Sequence, residues 1–292
     1  MKFAAIDIGT NAARLLIGEV LANDLGMQIQ KLGYYRSPLR LGADVFGKGK
    51  IGATKLKQFI QTMQAFQLLA SAHQVTELRA VATSAMREAS NNKKVAKEIF
   101  QATGLQIEVI SGEEEAKLIF AAFELLHLGQ KTQYIVVDVG GGSTEISVFE
   151  DGQRHASKSF ELGTIRILNQ KIDANIWSDF TTWIQTHAKV NEPHLVFGTG
   201  GNINRALKML PNKKDKISRK DLLQLHSQLA SLSIDQRIEQ FQLKADRADV
   251  IVPALEIYIA ALAALEQDQI VVPKIGLADG ILLELFLKNT TL

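Results

Sequence analysis

The chain contains the stretch Tyr134-Ile-Val-Val-Asp-Val-Gly-Gly-Gly-Ser-Thr-Glu-Ile-Ser-Val148, in which two apolar runs flank three glycines. This pattern predicts a strand, a tight turn and a second strand. The glycines let the backbone approach a ligand closely, and successive N–H groups of such a turn suit phosphate oxygens. Asp138 ends the first strand and is placed to hold Mg²⁺, while Ser143 and Thr144 add hydroxyl donors. A plain β-hairpin with a glycine-rich turn is the alternative.

The same plan occurs near the N-terminus, in Phe3-Ala-Ala-Ile-Asp-Ile-Gly-Thr-Asn-Ala-Ala-Arg-Leu-Leu-Ile17. A shift of 131 residues, the difference between positions 7 and 138, superimposes the two segments. It aligns Asp7 with Asp138, Gly9 with Gly140 and Arg14 with Glu145. A repeat at this spacing predicts two copies of one fold facing each other, with both turns and both aspartates at one cleft. Arg14 would then clamp phosphate, and Glu145 would handle water or metal.

Composition narrows the class of protein. The 292 residues suffice for two domains, and a hydrophobic fraction of 46% supports a full core. The absence of cysteine excludes disulfides and thiolate chemistry and fits a reducing compartment. Because Met1 leads directly into a predicted strand and residues 250–265 are too short and interrupted for a membrane span, we expect a cytoplasmic protein. A net charge of +2 does not argue for nucleic-acid binding.

A predicted helix begins at Ser111-Gly-Glu-Glu-Glu-Ala116. With Ser111 as the N-cap, Glu114 falls at the third helical position and completes a capping box. Glu115 instead starts the apolar face of the helix, so its carboxylate needs a partner or a purpose and is a candidate general base. Simple complementarity to the helix dipole is the alternative for any of these glutamates, and the choice between Glu114 and Glu115 stays open.

Three further segments carry expectations. Gly198-Thr-Gly-Gly-Asn202 follows a strand and precedes a helix, so it is a third turn suited to phosphate. The glycines between positions 47 and 52 predict a loop, and residues 213–220 predict a solvated charged segment. Residues 246–266 predict one long helix, bent at Pro253.

Eight short strings together resemble the exopolyphosphatase / guanosine pentaphosphate phosphatase family, within the superfamily of actin, sugar kinases and chaperone ATPases. In order they are Asp7-Ile-Gly-Thr-Asn-Ala-Ala-Arg14, Ala82-Thr-Ser-Ala-Met-Arg87, Ile110-Ser-Gly-Glu-Glu-Glu-Ala116, Asp138-Val-Gly-Gly-Gly-Ser-Thr-Glu145, Leu162-Gly-Thr-Ile-Arg166, Gly198-Thr-Gly-Gly201, Arg247-Ala-Asp249 and Gly276-Leu-Ala-Asp-Gly280. The resemblance implies an α/β protein of two ribonuclease-H-like domains across a cleft. We expect residues 1–125 plus 273–292 to form one domain and residues 126–272 the other.

The resemblance also implies Mg²⁺-dependent removal of a terminal phosphate, with other divalent cations as substitutes for Mg²⁺. Glu115 would activate water, and Glu145 is tied to catalysis. The expected metal ligands are Asp138, Asp7 and Glu145. The expected phosphate-binding residues are Gly9, Thr10, Asn11, Arg14, Arg87, Gly140, Gly141, Gly142, Ser143, Thr144, Arg166, Gly200 and Gly201. The expected partner is polyphosphate or guanosine pentaphosphate, bound as the substrate. We expect no binding to nucleic acid or to a membrane, and whether the chain forms a homodimer stays open.

The chain departs from the family pattern at a few places. Ala12 stands where serine is usual, which removes one phosphate hydrogen bond, and Asn202 stands where threonine is usual. Longer members continue into helical C-terminal domains that help grip polymers, so we expect little processive action on very long chains. The sequence leaves polyphosphate and guanosine pentaphosphate open as substrates. An ATP-binding kinase or switch and a non-catalytic sensor of phosphate polymers are the alternatives of other classes.

Overall fold

The structure is a computed structural model that describes residues 1–23, 26–126, 128, 133–151, 153–188, 194–211 and 214–290. The chain forms two compact units. The first unit comprises Met1–Leu128 and Ile275–Leu292, and the second comprises Gly129–Lys274. No helix in these described ranges is long and apolar enough to cross a bilayer.

Eleven strands are present in the described ranges. They are β1 Lys2–Ile8, β2 Ala13–Asn23, β3 Gly26–Ser37, β4 Glu77–Ala82, β5 Ile107–Val109, β6 Tyr134–Val139, β7 Thr144–Glu150, β8 Gln153–Phe160, β9 Leu195–Thr199, β10 Lys216–Ser218 and β11 Gln269–Val271.

Thirteen α-helices are present in the same ranges, with a 3₁₀ turn at Glu124–Leu126. They are α1 Leu41–Lys48, α2 Ala53–Ala72, α3 Ser84–Glu88, α4 Asn92–Thr103, α5 Gly112–Phe123, α6 Thr164–Leu168, α7 Ile176–His187, α8 Gly201–Met209, α9 Arg219–Ala230, α10 Ile234–Phe241, α11 Ala245–Ala248, α12 Ile251–Ala264 and α13 Leu277–Thr290.

The first unit is built on a five-stranded sheet of order β3-β2-β1-β4-β5. The central strand β1 pairs antiparallel with β2 and parallel with β4. Its residues from Phe3 onward are buried, as expected for a strand that is covered on both faces. The returning helix α13 packs on β1, β2 and α5. The C-terminal segment of the chain is therefore part of the first unit.

The second unit has a six-stranded sheet of order β8-β7-β6-β9-β11-β10. Its first five strands repeat the order of the first unit, with β6 as the central strand, antiparallel to β7 and parallel to β9. Apolar residues of β6 and of α12 meet in one core, including Ile135, Val137, Leu255 and Tyr258. The predicted α/β class with two like-built domains is confirmed, and both predicted hairpins around glycine turns are present.

Helix α1 extends into the segment 47–52, which the sequence predicts to be a glycine-rich loop. Leu41, Val45 and Phe46 are buried on one face of this helix, and that burial outweighs the low helix propensity of Gly47. Gly49 then ends the helix in a left-handed conformation, with a φ of 71°. The loop prediction was therefore wrong for residues 47–48, which belong to the helix, whereas residues 49–52 are outside helices and strands.

The predicted long helix 246–266 is in fact two helices, α11 and α12. Pro253 is the third residue of α12, where the backbone N–H would lack an intrahelical acceptor, so the proline neither bends nor breaks the helix. The segment 213–220 also differs from expectation. Ile217 is buried where β10 pairs with β11, so the charged segment contains a short edge strand.

Candidate active site

The first glycine turn connects β1 to β2. Asp7 and Arg14 lie opposite each other in this hairpin, and the Nη1 atom of Arg14 donates to the Asp7 carboxylate. The Arg14 side chain keeps 25% of its surface exposed, whereas Asp7 keeps 8%. Asp7 is thus neutralised by a guanidinium, which makes it a weaker ligand for a cation than the sequence suggested.

Backbone contacts hold the first turn from within its own unit. The N–H of Gly9 donates to the carbonyl of Ala12 at 3.1 Å. The carbonyls of Thr10 and Asn11 accept from the N–H groups of Gly42 and Arg40, at 3.0 and 2.9 Å. The carbonyls of the turn are therefore bound at the start of α1.

The second glycine turn connects β6 to β7 and is held in the same way. The N–H of Gly140 donates to the Ser143 carbonyl at 2.9 Å. The carbonyls of Gly140 and Gly141 accept from the N–H groups of Thr164 and Ile165, at 3.1 and 2.8 Å. Within the described residues, no acceptor takes the N–H of Gly141, so this amide is available to solvent or to a ligand.

The hydroxyl of Thr144 has a structural partner. Thr144 is fully buried, and its hydroxyl donates to the carbonyl of Leu162. The Thr144 hydroxyl proton is thus donated within the second unit, between β7 and the segment before α6. In this arrangement it is not available to a phosphate, which is the role that the sequence predicts. Ser143, also buried, contributes its carbonyl to the turn.

Arg166 likewise faces the turn. Its Nε atom donates to the Gly142 carbonyl at 2.9 Å, and its backbone N–H reaches the Gly141 carbonyl at 3.2 Å. The Nη1 atom lies 3.3 Å from the Glu161 carboxylate, and only 7% of the Arg166 side chain is exposed. The sequence predicts a phosphate contact for Arg166, whereas these contacts indicate that it braces the turn that would make that contact.

Gly163 leaves no room for a larger residue beside this turn. A Cβ atom at position 163 would lie 2.3 Å from the carbonyl carbon of Gly142 and 2.5 Å from its nitrogen. Changing Gly163 to Ala should therefore destabilise the fold by more than the about 1–3 kcal/mol usual for overpacking, because the obstructing atoms are backbone. Chemical denaturation measures this change in the free energy of unfolding.

Gly47 provides the matched control for that substitution. It lies inside helix α1, and a Cβ there would meet nothing within 4 Å. Gly47→Ala should stabilise the protein by about 0.5–1 kcal/mol through helix propensity. Equal unfolding free energies for the two alanine variants would contradict the close contact at Gly163.

Two carboxylates face each other across the second hairpin. Asp138 and Glu145 are directly paired in the ladder, at the positions that Asp7 and Arg14 occupy in the first hairpin. A carboxylate oxygen of Asp138 and one of Glu145 lie within 4.8 Å of each other. Two negative charges at this distance repel each other, and carboxylate oxygens are ligands that Mg²⁺ prefers. The pair therefore fits a divalent cation.

Hydroxyl groups orient both of these carboxylates. Thr199 Oγ1 donates to Asp138 Oδ1 at 2.6 Å, and Ser159 Oγ donates to Glu145 Oε1 at 2.7 Å. Donors of this kind fix the rotamers of carboxylates that bind a cation. The sequence did not point to Ser159 and included Thr199 only as part of the third glycine turn, since each reaches its acid from another strand.

A buried tyrosine supports the Asp138 side of this arrangement. The hydroxyl of Tyr258 donates to the Thr199 carbonyl. Burial, and then the charge of Asp138, raise the pKa of the Tyr258 phenol well above its usual value, so it remains a protonated donor. Gly200 packs into the same corner with a φ of 100°, and a Cβ there would lie 3.2 Å from Asp138 Oδ1.

The third glycine turn leads into α8. Arg247 Nη1 donates to Asn202 Oδ1 at 3.1 Å. A Cβ at Gly201 would lie 2.5 Å from Arg247 Nη2, so the glycine makes room for the guanidinium. Asn202, which departs from the family pattern, thus has a defined partner in this unit. Arg247 is a cation beside the turn to which the sequence assigned no role.

Glu115 and Glu114 have different surroundings at the start of α5. The Ser111 hydroxyl accepts from the Glu114 N–H at 3.1 Å, as predicted for an N-cap. The Glu114 carboxylate is 35% exposed and lies 4.0 Å from Arg79. The Glu115 side chain is only 10% exposed, and its Oε2 lies 3.8 Å from Arg87 Nη1. Of the two, Glu115 is thus the buried acid on the apolar face.

Arg87 connects the acid to the preceding strand. Its Nη1 atom also donates to the Ile110 carbonyl at 2.8 Å, and 29% of the side chain stays exposed. The structure therefore brings Arg87 and Glu115 together within the first unit. In the second unit it brings together Asp138, Glu145 and the turn at 140–142.

Comparisons with known proteins identify the family of this chain. The profile of the Ppx/GppA phosphatase family matches residues 20–289. Exopolyphosphatase 1 of Mycobacterium tuberculosis is 24% identical over 308 aligned positions, covering 97% of this chain and 88% of the relative. Its counterpart in Mycobacterium leprae is 23% identical, with 97% and 89% covered.

Solved structures share the fold. An exopolyphosphatase from Cytophaga hutchinsonii superimposes with a TM-score of 0.83 at 23% identity, covering 99% of this chain and 98% of that one. A Ppx/GppA family member from Aquifex aeolicus gives a TM-score of 0.77 at 24% identity, with 99% and 98% covered. At these identities the likeness supports the fold.

Proposed function

Because this chain belongs to the Ppx/GppA phosphatase family, we propose that it is a Mg²⁺-dependent exopolyphosphatase. It would hydrolyse the terminal phosphoanhydride of inorganic polyphosphate and release orthophosphate. The observation that carries the proposal is the pair Asp138 and Glu145, two carboxylates held opposite each other beside a glycine turn. A phosphate chain bound at such a turn needs a counter-charge, and the carboxylate pair can hold the divalent cation that supplies it.

The substrate-binding groups follow from the turns. The backbone N–H of Gly141 suits a phosphate oxygen because it has no acceptor among the described residues. The carbonyls of Gly140 and Gly141 accept hydrogen bonds from Thr164 and Ile165. Arg14 and Arg87 keep 25% and 29% of their side chains exposed, and they supply positive charge to the terminal phosphates.

Asp138 and Glu145 would hold the cation, and Asp7 would serve as the counter-charge of Arg14. A bound Mg²⁺ offsets negative charge on the anhydride oxygens. Thr199 and Ser159 keep the two carboxylates in place, so little rearrangement is needed when the ion binds.

Glu115 would act as the general base. It accepts a proton from water as the water oxygen attacks the terminal phosphorus, and the bond from that phosphorus to the bridging oxygen breaks. Orthophosphate leaves, together with a polymer that is one phosphate shorter. Such transfer depends mainly on positioning and electrostatics, and the guanidinium of Arg87 lies 3.8 Å from the Glu115 carboxylate.

The substrate is tested by measuring phosphate release from short polyphosphate, long polyphosphate, guanosine pentaphosphate and ATP. Each substrate is assayed with Mg²⁺ and with a chelator. We expect the highest kcat/KM on polyphosphate and no release in chelator. A higher kcat/KM on guanosine pentaphosphate would reassign the substrate, because that nucleotide offers the same terminal anhydride. Binding of polyphosphate without release would instead indicate a sensor.

A further inference from the structure

The segment Gly276-Leu-Ala-Asp-Gly280 has no role in the proposed chemistry, yet it contains a glycine, Gly280, that has no space for a side chain. Gly280 lies in the first turn of α13 and faces α5. A Cβ at position 280 would lie 1.8 Å from the carbonyl oxygen of Leu118 and 2.7 Å from its carbonyl carbon. Only a glycine allows the two helices to cross this closely, since the obstacle is backbone.

The crossing lies close to the acid that α5 carries. Leu118 is three residues, slightly less than one helical turn, after Glu115. A displacement of α5 at Leu118 therefore moves the Glu115 carboxylate with it, because a helix shifts as a rigid element over so short a distance.

A second set of contacts connects the same two helices. Arg79 on β4 donates to Glu284 of α13 and to Glu108 of β5, and it lies 4.0 Å from Glu114 of α5. Burial lowers the pKa of Arg79, but these carboxylates outweigh it and raise the pKa overall, so the guanidinium stays charged. Charged contacts thus hold the start of α5 in line with α13.

We propose that Gly280, with Arg79, positions Glu115 for catalysis through the crossing of α13 and α5. Gly280 itself touches no substrate. This inference rests on the proposed function, in which Glu115 is the base. The returning C-terminal helix α13 would then determine where the general base lies, in addition to its contribution to the core.

The decisive experiment is a double-mutant cycle with the full chain. Gly280→Ala should lower kcat for phosphate release by about tenfold to a hundredfold, since misplacing a reacting group by 1 Å can cost 10²-fold. KM and the concentration of Mg²⁺ giving half-maximal rate should stay within about twofold, because those depend on other groups. In a Glu115→Gln background the same change should cause little further loss, since residues that act through one group are not additive.

Gly276→Ala is the matched control from the same segment. A Cβ at position 276 would meet nothing within 4 Å, so this variant should keep the normal kcat. An equal loss for both alanine variants would overturn the inference. So would a Gly280→Ala loss that multiplies fully with that of Glu115→Gln, since that pattern indicates a general structural defect.

Arg79→Gln decides the matter if Gly280→Ala does not fold, because it adds no atoms to the crossing. It should lower kcat several-fold, again without further effect in the Glu115→Gln background. An unchanged kcat in Arg79→Gln would then overturn the inference. Normal turnover in Glu115→Gln alone would instead remove the proposed base, so the two failures are distinguishable.

Discussion

Replacing Glu115 with glutamine is expected to lower kcat by about 10²–10⁴-fold, the range typical of a lost general base. Glutamine keeps the size of the side chain and its place on the buried face of α5, so folding should change little. It cannot accept a proton from water at neutral pH. KM for polyphosphate should stay within a few-fold because, on the proposed function, the glycine turns and arginines bind the substrate without Glu115. Steady-state kinetics of phosphate release measure both constants.

Glu114→Gln is the control for that variant. Glu114 is the neighbour in sequence, carries the same charge and lies near Arg79 on a more exposed face. Its replacement removes the contact of α5 with Arg79, so kcat should fall several-fold at most, far less than the loss expected for Glu115→Gln. If Glu114→Gln caused the large loss and Glu115→Gln did not, the roles of the two acids would be exchanged.

Asp138→Asn should weaken Mg²⁺ binding by at least the about 10–100-fold seen when an outer partner of a metal ligand is lost. The amide keeps the shape and can still accept from Thr199, but it removes one of the two charges in the hairpin. Calorimetric titration of Mg²⁺ into the protein without substrate measures the effect independently of turnover. Phosphate release should become strongly dependent on added Mg²⁺.

Asp7→Asn gives the comparison from the equivalent hairpin of the first unit. Because the Asp7 carboxylate is paired with Arg14, its replacement should leave Mg²⁺ affinity nearly unchanged. It should alter KM instead, since Arg14 loses its counter-charge and its orientation. A loss of Mg²⁺ binding in Asp7→Asn as large as that in Asp138→Asn would restore Asp7 as a ligand.

The repeating features of this fold were readable from the sequence because they are local. Two apolar runs around a glycine turn predicted each hairpin, and the cap at Ser111 predicted the start of α5. The same counting placed Glu115 on the apolar face, where the structure finds it. Each of these signals lies within a single hairpin or a single helix.

The supporting contacts were not readable, because they join positions that are distant in sequence. Arg166 reaches Gly142 across 24 residues, and Thr199 reaches Asp138 across 61. The residue types at these positions are ordinary, so only the packing of the unit reveals their partners. The effect of Pro253 on the helix could not be predicted for a similar reason. A proline in the first turn is tolerated, and the sequence did not show that α12 begins at Ile251.

The exchange of one partner between the two hairpins has a consequence for how the protein responds to its ionic surroundings. The first hairpin carries its own counterion in Arg14, whereas the second presents two acids. On the proposed function the second hairpin binds a divalent cation from solution, and any ion that binds the folded form alone stabilises it by mass action. Removing divalent cations would therefore destabilise the second unit and lower the melting temperature. The first hairpin, in which Arg14 pairs with Asp7, should not depend on their concentration.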